Sequence, residues 1–168
     1  FPARPLALSL LEGLELAVVA LHAGQRAHAV FLGELEGEAL VSKQPFNTTG
    51  SYFENMYGGN TETAPCTDAD NPELYQKDLS NCIMCTPQTI GSTYGGAAIM
   101  GVKEMGVGPK AMLFSGHIDS VIAAGLFMSD IWKDMRIITI DLLGDEFLDT
   151  VKNGDPISIK EDGTVEVG

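Results

Sequence analysis

A serine set among glycines is the sharpest chemical feature of this chain. Ser92 stands in TIGSTYGG, residues 89 to 96, between an apolar run that reads as a strand and one that reads as a helix. Gly91, Gly95 and Gly96 let the backbone approach a ligand closely. In open parallel sheets, ligands bind beyond the carboxyl ends of the strands. A helix start there adds N–H groups and a positive dipole end, a natural site for a carboxylate or phosphate. On this reading Ser92 presents its hydroxyl to the ligand, and Gly91, Thr93, Tyr94 and Gly95 form the cradle. The competing reading makes Ser92 or Thr93 a helix cap and nothing more. The segment is neither a P-loop nor a G-x-G-x-x-G fingerprint.

His117 follows the strand candidate at 111 to 114, which brings it toward the same sheet edge as Ser92. It is a candidate proton relay, with a solvent-facing loop histidine as the alternative. The three cysteines are Cys66, Cys82 and Cys85. Three is not a disulfide framework, and a reducing, cytoplasmic setting fits better. Cys82 and Cys85 have the spacing of half a metal site. On a strand, however, a separation of three sends the two thiols to opposite faces, so both read as core residues. Cys66 sits in a polar stretch and is the cysteine expected to reach toward the site. One cysteine makes no metal site, so no metal ligands are assigned to this chain.

These groups need a scaffold, and the composition supplies one. The chain has 168 residues, 45% hydrophobic and 20% charged, enough for one domain with a real core. Its formal net charge of −13 disfavours nucleic acid and anionic membrane surfaces as partners. Residues 6 to 21, LALSLLEGLELAVVAL, are apolar, but Glu12 and Glu15 interrupt them and the run is short for a membrane span. Leu8, Leu11, Leu14 and Val18 have helical spacing. Residues 1–27 are therefore read as a leader or extra helix, and 28–168 as the domain proper.

From residue 28 the chain alternates strands and helices. AVFLG and EALVS predict short strands on either side of a turn near Glu36-Gly37. Residues 44 to 79 are a long polar stretch of the kind that is functional or disordered. Its aromatics, Phe46, Tyr52, Phe53, Tyr57 and Tyr75, argue against disorder and suit a lid or an interface. NCIMC, AMLF and RIITI read as buried strands, and AAIMGVKEM and IDSVIAAGLFM as buried helices. Asp119 is the N-cap of the second helix. Trp132 and Met135 are expected to pack near the last core strand. DEFLDTV is a short helix, and ISIKEDGTVEV a hairpin with a two-residue turn at Asp162-Gly163. Strand–helix alternation predicts a parallel sheet with right-handed crossovers, and the flanking short strands a second sheet layer.

From about residue 28 to the end, the chain resembles the small subunit, or swivel domain, of the aconitase X family. The residues that carry the likeness are EGEALV at 36 to 41 with Pro45-Phe46, then Asp68 and Pro72, then Gly91-Ser92-Thr93. Asp119 and Gly125 follow, and last ITIDLLGDEFLDTVKNGDPISI at 138 to 159. The resemblance implies an α/β fold of swivelling β/β/α type, three layers around a parallel-sheet core. It implies a larger aconitase X-type catalytic subunit as partner, carrying an iron–sulfur cluster whose iron polarises the leaving hydroxyl. It implies dehydration of a small hydroxy acid, either cis-3-hydroxy-L-proline or 5-phosphomevalonate. Ser92 matches the swivel-domain serine that takes the proton from the carbon next to a carboxylate.

A serine hydroxyl is too weakly acidic to act as a base unaided; it needs a relay or a positive environment. Members of the family often have a basic residue just before the Gly-Ser, and this chain has Ile90, with Gln88 and Thr89 ahead of it in place of glycines. That departure favours a hydroxyproline-type substrate over a phosphorylated one. Two alternatives belong to other classes: a non-catalytic module that holds a carboxylate at the same turn, and a purely structural swivel domain.

Overall fold

The computed structural model describes Ala17–Val18 and residues 28–168. In chain order the elements are β1 (Ala17–Val18), β2 (His28–Phe31), β3 (Leu35–Val41), β4 (Phe46–Asn47), α1 (Thr48–Ser51) and α2 (Phe53–Gly58). Then come β5 (Ile83–Thr86), β6 (Thr89–Ile90), α3 (Gly95–Glu104), β7 (Ala111–Phe114) and α4 (Ser120–Lys133). β8 (Ile138–Asp141), α5 (Asp145–Thr150), β9 (Pro156–Ile159) and β10 (Val165–Val167) complete the chain.

The parallel core is β3-β5-β7-β8, each strand pairing with the next. All four residues of β5 and of β7 are buried, as continuous apolar strands covered on both faces must be. β2 adds antiparallel to β8 at one edge. At the other side β3 belongs to two ladders. Its first half, Leu35 to Glu38, pairs antiparallel with β9, and its second half, Ala39 to Val41, pairs parallel with β5. The sheet turns at this strand, and β9, β10 and β1 continue beyond it.

Alternation along the core strands sorts the apolar side chains into two clusters. Met84, Met112 and Phe114 pack with Ile99, Val102, Ile122 and Leu126 of the helices. Ile83, Cys85, Ala111 and Leu113 pack with Ile157, Ile159, Val165 and Val167 of the far ladder and with Phe147 of α5. The α/β architecture of sheet, sheet and helix follows from these two clusters.

Several expectations are corrected. Glu36 and Gly37 lie inside β3, and β2 pairs with β8 at the opposite edge, so the two predicted strands are not joined by a turn there. The polar stretch carries α1 and α2 and is pinned to the core. Phe46 and Tyr52 are fully buried and meet edge to face, with centroids 6.0 Å apart. Glu73 Oε2 accepts from the Lys43 N–H at 2.7 Å, and the Asn71 amide donates to Ser42 Oγ at 2.9 Å. Trp132 is 71% exposed, at the outer end of α4, and Met135 is half-buried just after it, its N–H donating to Ser129 O at 2.9 Å. The last hairpin closes on a longer loop, with Lys160 N–H donating to Thr164 O and Gly163 at φ +86°. Ala17–Val18 form a strand where the spacing predicts helix; the rest of residues 6 to 21 lies outside the described residues.

Candidate functional site

The turn that carries Ser92 is held from three sides. β6, just before it, pairs in parallel with β4. Gly91 takes φ +106°, and a Cβ there would lie 2.5 Å from Asn47 Oδ1, so no side chain fits. Asn47 is itself fixed as the cap of α1, its Oδ1 accepting from Gly50 N–H at 3.1 Å. On the far side, Gly95 N–H donates to Ser92 O at 2.8 Å and starts α3. A Cβ on Gly95 would lie 2.6 Å from Thr48 Oγ1.

Ser92 is exposed, and its Oγ accepts from the Tyr94 N–H at 3.1 Å. The N-cap position of α3 is Tyr94, which makes no side-chain cap bond. Ser92 therefore tightens the turn before the helix without capping the helix itself, and its hydroxyl faces an open cleft of about 210 Å³. Gly91, Ser92 and Gly95 line that cleft, with Thr48, Thr89, Ile90, Val121 and Asp119. Thr93 and Tyr94 are exposed and are not among the lining residues.

Asp119 joins this turn to α4. Its Oδ1 accepts from Val121 N–H at 2.8 Å and Ile122 N–H at 3.0 Å, capping α4 as the sequence indicates. Its Oδ2 accepts from the Thr89 hydroxyl. Thr89, Asp119 and Thr48 were not read as site residues from the sequence. Thr89 and Asp119 are 30 residues apart, so no local pattern joins them. Asp119 is legible in the sequence as an N-cap, and nothing local ties Thr48 or Thr89 to it.

His117 lies in the loop after β7 and is not among the residues lining the cleft. Its Nδ1 is 2.6 Å from Asp141 Oδ2, which also accepts from Ile118 N–H at 3.0 Å. A buried carboxylate thus orients an imidazole that is 71% exposed. Cys66, expected near the site, is buried in the helix-side core. Cys82 packs against that same core and Cys85 against the opposite one, as a strand spacing of three requires. Burial pushes the Cys82 thiol up to about 12, and raises Cys85 and Cys66 as well.

These are not the thiolates that ligate iron. Among the described residues, no group of three or more His, Cys, Asp or Glu is placed to hold a metal. The donor set described does not fit an iron–sulfur cluster, and no step is assigned to one on this chain. Among the described residues, no helix is long and apolar enough to cross a membrane.

The profile of the aconitase X swivel domain matches residues 25–167. The chain belongs to the aconitase X swivel-domain family. Relatives of this swivel domain include the phosphomevalonate dehydratase small subunit of Thermococcus gammatolerans, 31% identical over 63% of this chain and 74% of that one. The small subunit of the same name from Archaeoglobus fulgidus is 28% identical over 83% of this chain and 94% of that one. In structure, this swivel domain is similar to Thermococcus kodakaraensis aconitase X (holo-form) with a TM-score of 0.69. The identity is 26%, over 86% of this chain and 97% of that chain. A protein known as UPF0107, solved in solution by NMR, shares the fold at a TM-score of 0.64 and 24% identity.

Proposed function

We propose that this swivel domain, residues 28–168, is the small subunit of a heteromeric dehydratase that removes water from a small hydroxy acid. The observation that carries the reading is Ser92, an exposed hydroxyl at the mouth of a cleft, on a turn built by glycines at the start of α3. The substrate carboxylate sits against the α3 start, where N–H groups and the helix dipole favour negative charge. Ser92 Oγ takes the proton from the neighbouring carbon. The electron pair left behind forms the new carbon–carbon double bond as the β-hydroxyl departs, and the proton taken by Ser92, passed on through a relay, leaves with that hydroxyl as water. The charge that makes serine basic enough comes from the larger subunit, because the cleft lining described here has no lysine or arginine. The cluster belongs to that subunit too. The Asp141-oriented imidazole of His117 is the candidate relay, and the site of action is the cytoplasm, as its free cysteines suggest.

The relatives' names support 5-phosphomevalonate as substrate. The absence of a cation at Ile90 and elsewhere in the cleft lining supports a substrate without phosphate, of the cis-3-hydroxy-L-proline kind. The test is co-expression with the larger subunit, anaerobic purification, and assay of both acids. Ser92→Ala is expected to abolish turnover and leave the complex intact by gel filtration; normal turnover in that variant would remove Ser92 from the mechanism.

A further inference from the structure

α4 is apolar on more than the face that it buries. Ile122, Gly125, Leu126 and Ser129 turn toward the core, yet Phe127, Ile131 and Trp132 are 49%, 69% and 71% exposed. Ala124 is exposed as well. Ala124, Phe127 and Ile131 recur at i, i+3 and i+7, the spacing of a seam that packs on another helix. A helix that is apolar all round belongs in an interior, and the described residues leave this stripe open. Phe127 meets Phe31 edge to face at 5.1 Å. Arg136 Nη1 donates to Leu32 O at 3.3 Å, while its Nε and Nη2 hold Asp130. These contacts bring Leu32, 43% exposed, beside the stripe.

Leu32, Phe127, Ile131 and Trp132 together present about 400–500 Å² of apolar surface, the size of patch that on a monomer is often functional. A standard interface takes about 800 Å² per partner, of which roughly 450–520 Å² is apolar. The stripe therefore supplies the apolar part of one interface of standard size.

The order of sizes along the stripe identifies the occupant. Ile131 and Trp132 stand at one end, and Ala123 and Ala124 at the other. When two copies of α4 run antiparallel about a two-fold axis near Phe127, Ile131 and Trp132 of each lie over Ala124 and Ala123 of the other. Large meets small at both ends, as a self-complementary contact requires. The chain carries −13 overall, but charges that flank the stripe are already paired, Asp130 with Arg136 and Lys133 with Glu104. The larger subunit is called elsewhere, to the Ser92 cleft at the start of α4, and Trp132 lies roughly 20 Å along the helix from Asp119. We infer that the outer face of α4 is a self-association surface that pairs with α4 of a second copy of this chain.

Trp132 is the only tryptophan of the chain, so its emission reports on this surface directly. The experiment is sedimentation equilibrium of the full chain from about 1 to 100 µM, the weak end of the affinities usual for this area, with tryptophan emission read over the same range. The expected result is two copies at the upper end, and emission that moves to longer wavelength on dilution as Trp132 is uncovered. Ile131→Glu changes an exposed side chain and is expected to weaken association tenfold or more. Trp132→Glu does the same, read by sedimentation alone. Tyr57→Glu, at a 60% exposed residue of α2, leaves association unchanged. Circular dichroism checks that each variant keeps its fold.

A single copy at the highest concentration overturns the inference. It does so whether Trp132 is then exposed, covered by another part of the chain, or covered only when the larger subunit is added. Association that survives both Ile131→Glu and Trp132→Glu also overturns it, because the copies then meet at another face.

Discussion

Gly96 and Gly125 bring the backbones of α3 and α4 into direct contact. A Cβ on Gly125 would fall on the carbonyl oxygen of Gly96 and lie 2.6 Å from its Cα, and one on Gly96 would meet Val121 O and lie 3.0 Å from Gly125 N. Both are buried, one turn or less from the cleft at the start of each helix. Gly125→Ala has only backbone to push against, and backbone cannot yield as a flexible side chain does. The expected loss is about 1–3 kcal/mol or more, the range for overpacking a close-packed core. Chemical denaturation checks it, and Gly106→Ala, where an added Cβ meets nothing within 4 Å but φ is +82°, separates crowding from backbone strain.

Gly91 couples fold to site more tightly. At φ +106°, with Asn47 Oδ1 in the way, an alanine is both strained and crowded. Gly91→Ala is expected to cost about 1–3 kcal/mol and to shift Ser92 off its line. Turnover should then fall by a larger factor than the population of folded protein. A loss of activity no greater than the loss of folded protein would mean that the turn tolerates displacement.

The Asp119 cap gives a graded prediction. Asp119→Ala removes the acceptor for Val121 and Ile122 and is expected to lower stability by about 0.5–2 kcal/mol, whereas Asp119→Asn stays near the parent. Thermal melts of the two variants side by side check the order.

Alkaline pH should destabilise the fold. Cys82 rises from its usual 9.0 to about 12 because burial penalises the thiolate, and Cys66, Cys85 and Tyr52 are raised for the same reason. In each case the unfolded chain releases its proton at lower pH than the folded one. The stability from these groups is complete below about pH 9 and declines as pH rises toward 12. Urea midpoints should hold from pH 8 to about 9 and fall from there to pH 11. At pH 8 the native thiols should also resist iodoacetamide, since alkylation requires thiolate, and react once the protein is denatured.

The sequence by itself determined the parts that depend on near neighbours. Continuous apolar runs marked β5, β7 and β8 because a strand covered on both faces has no polar side to show. Asp119 was legible as a cap, and the glycines around Ser92 as a close turn, because both are local rules of backbone hydrogen bonding and sterics. The Cys82–Cys85 spacing gave opposite faces from the period of a strand alone.

Tertiary structure decided the rest. Cys66 looked available in a polar stretch, yet it is buried in the helix-side core with Phe46, Tyr52 and Leu74. β3 read as a short strand, but its length serves two ladders, and only pairing with β9 and β5 reveals the corner. Thr89 meets Asp119 across 30 residues, and His117 meets Asp141 across 24, because parallel strands deliver their following loops to one edge of the sheet. Residue type names what a group can do. Which groups meet depends on chain crossings between segments distant in sequence, and no local pattern records those.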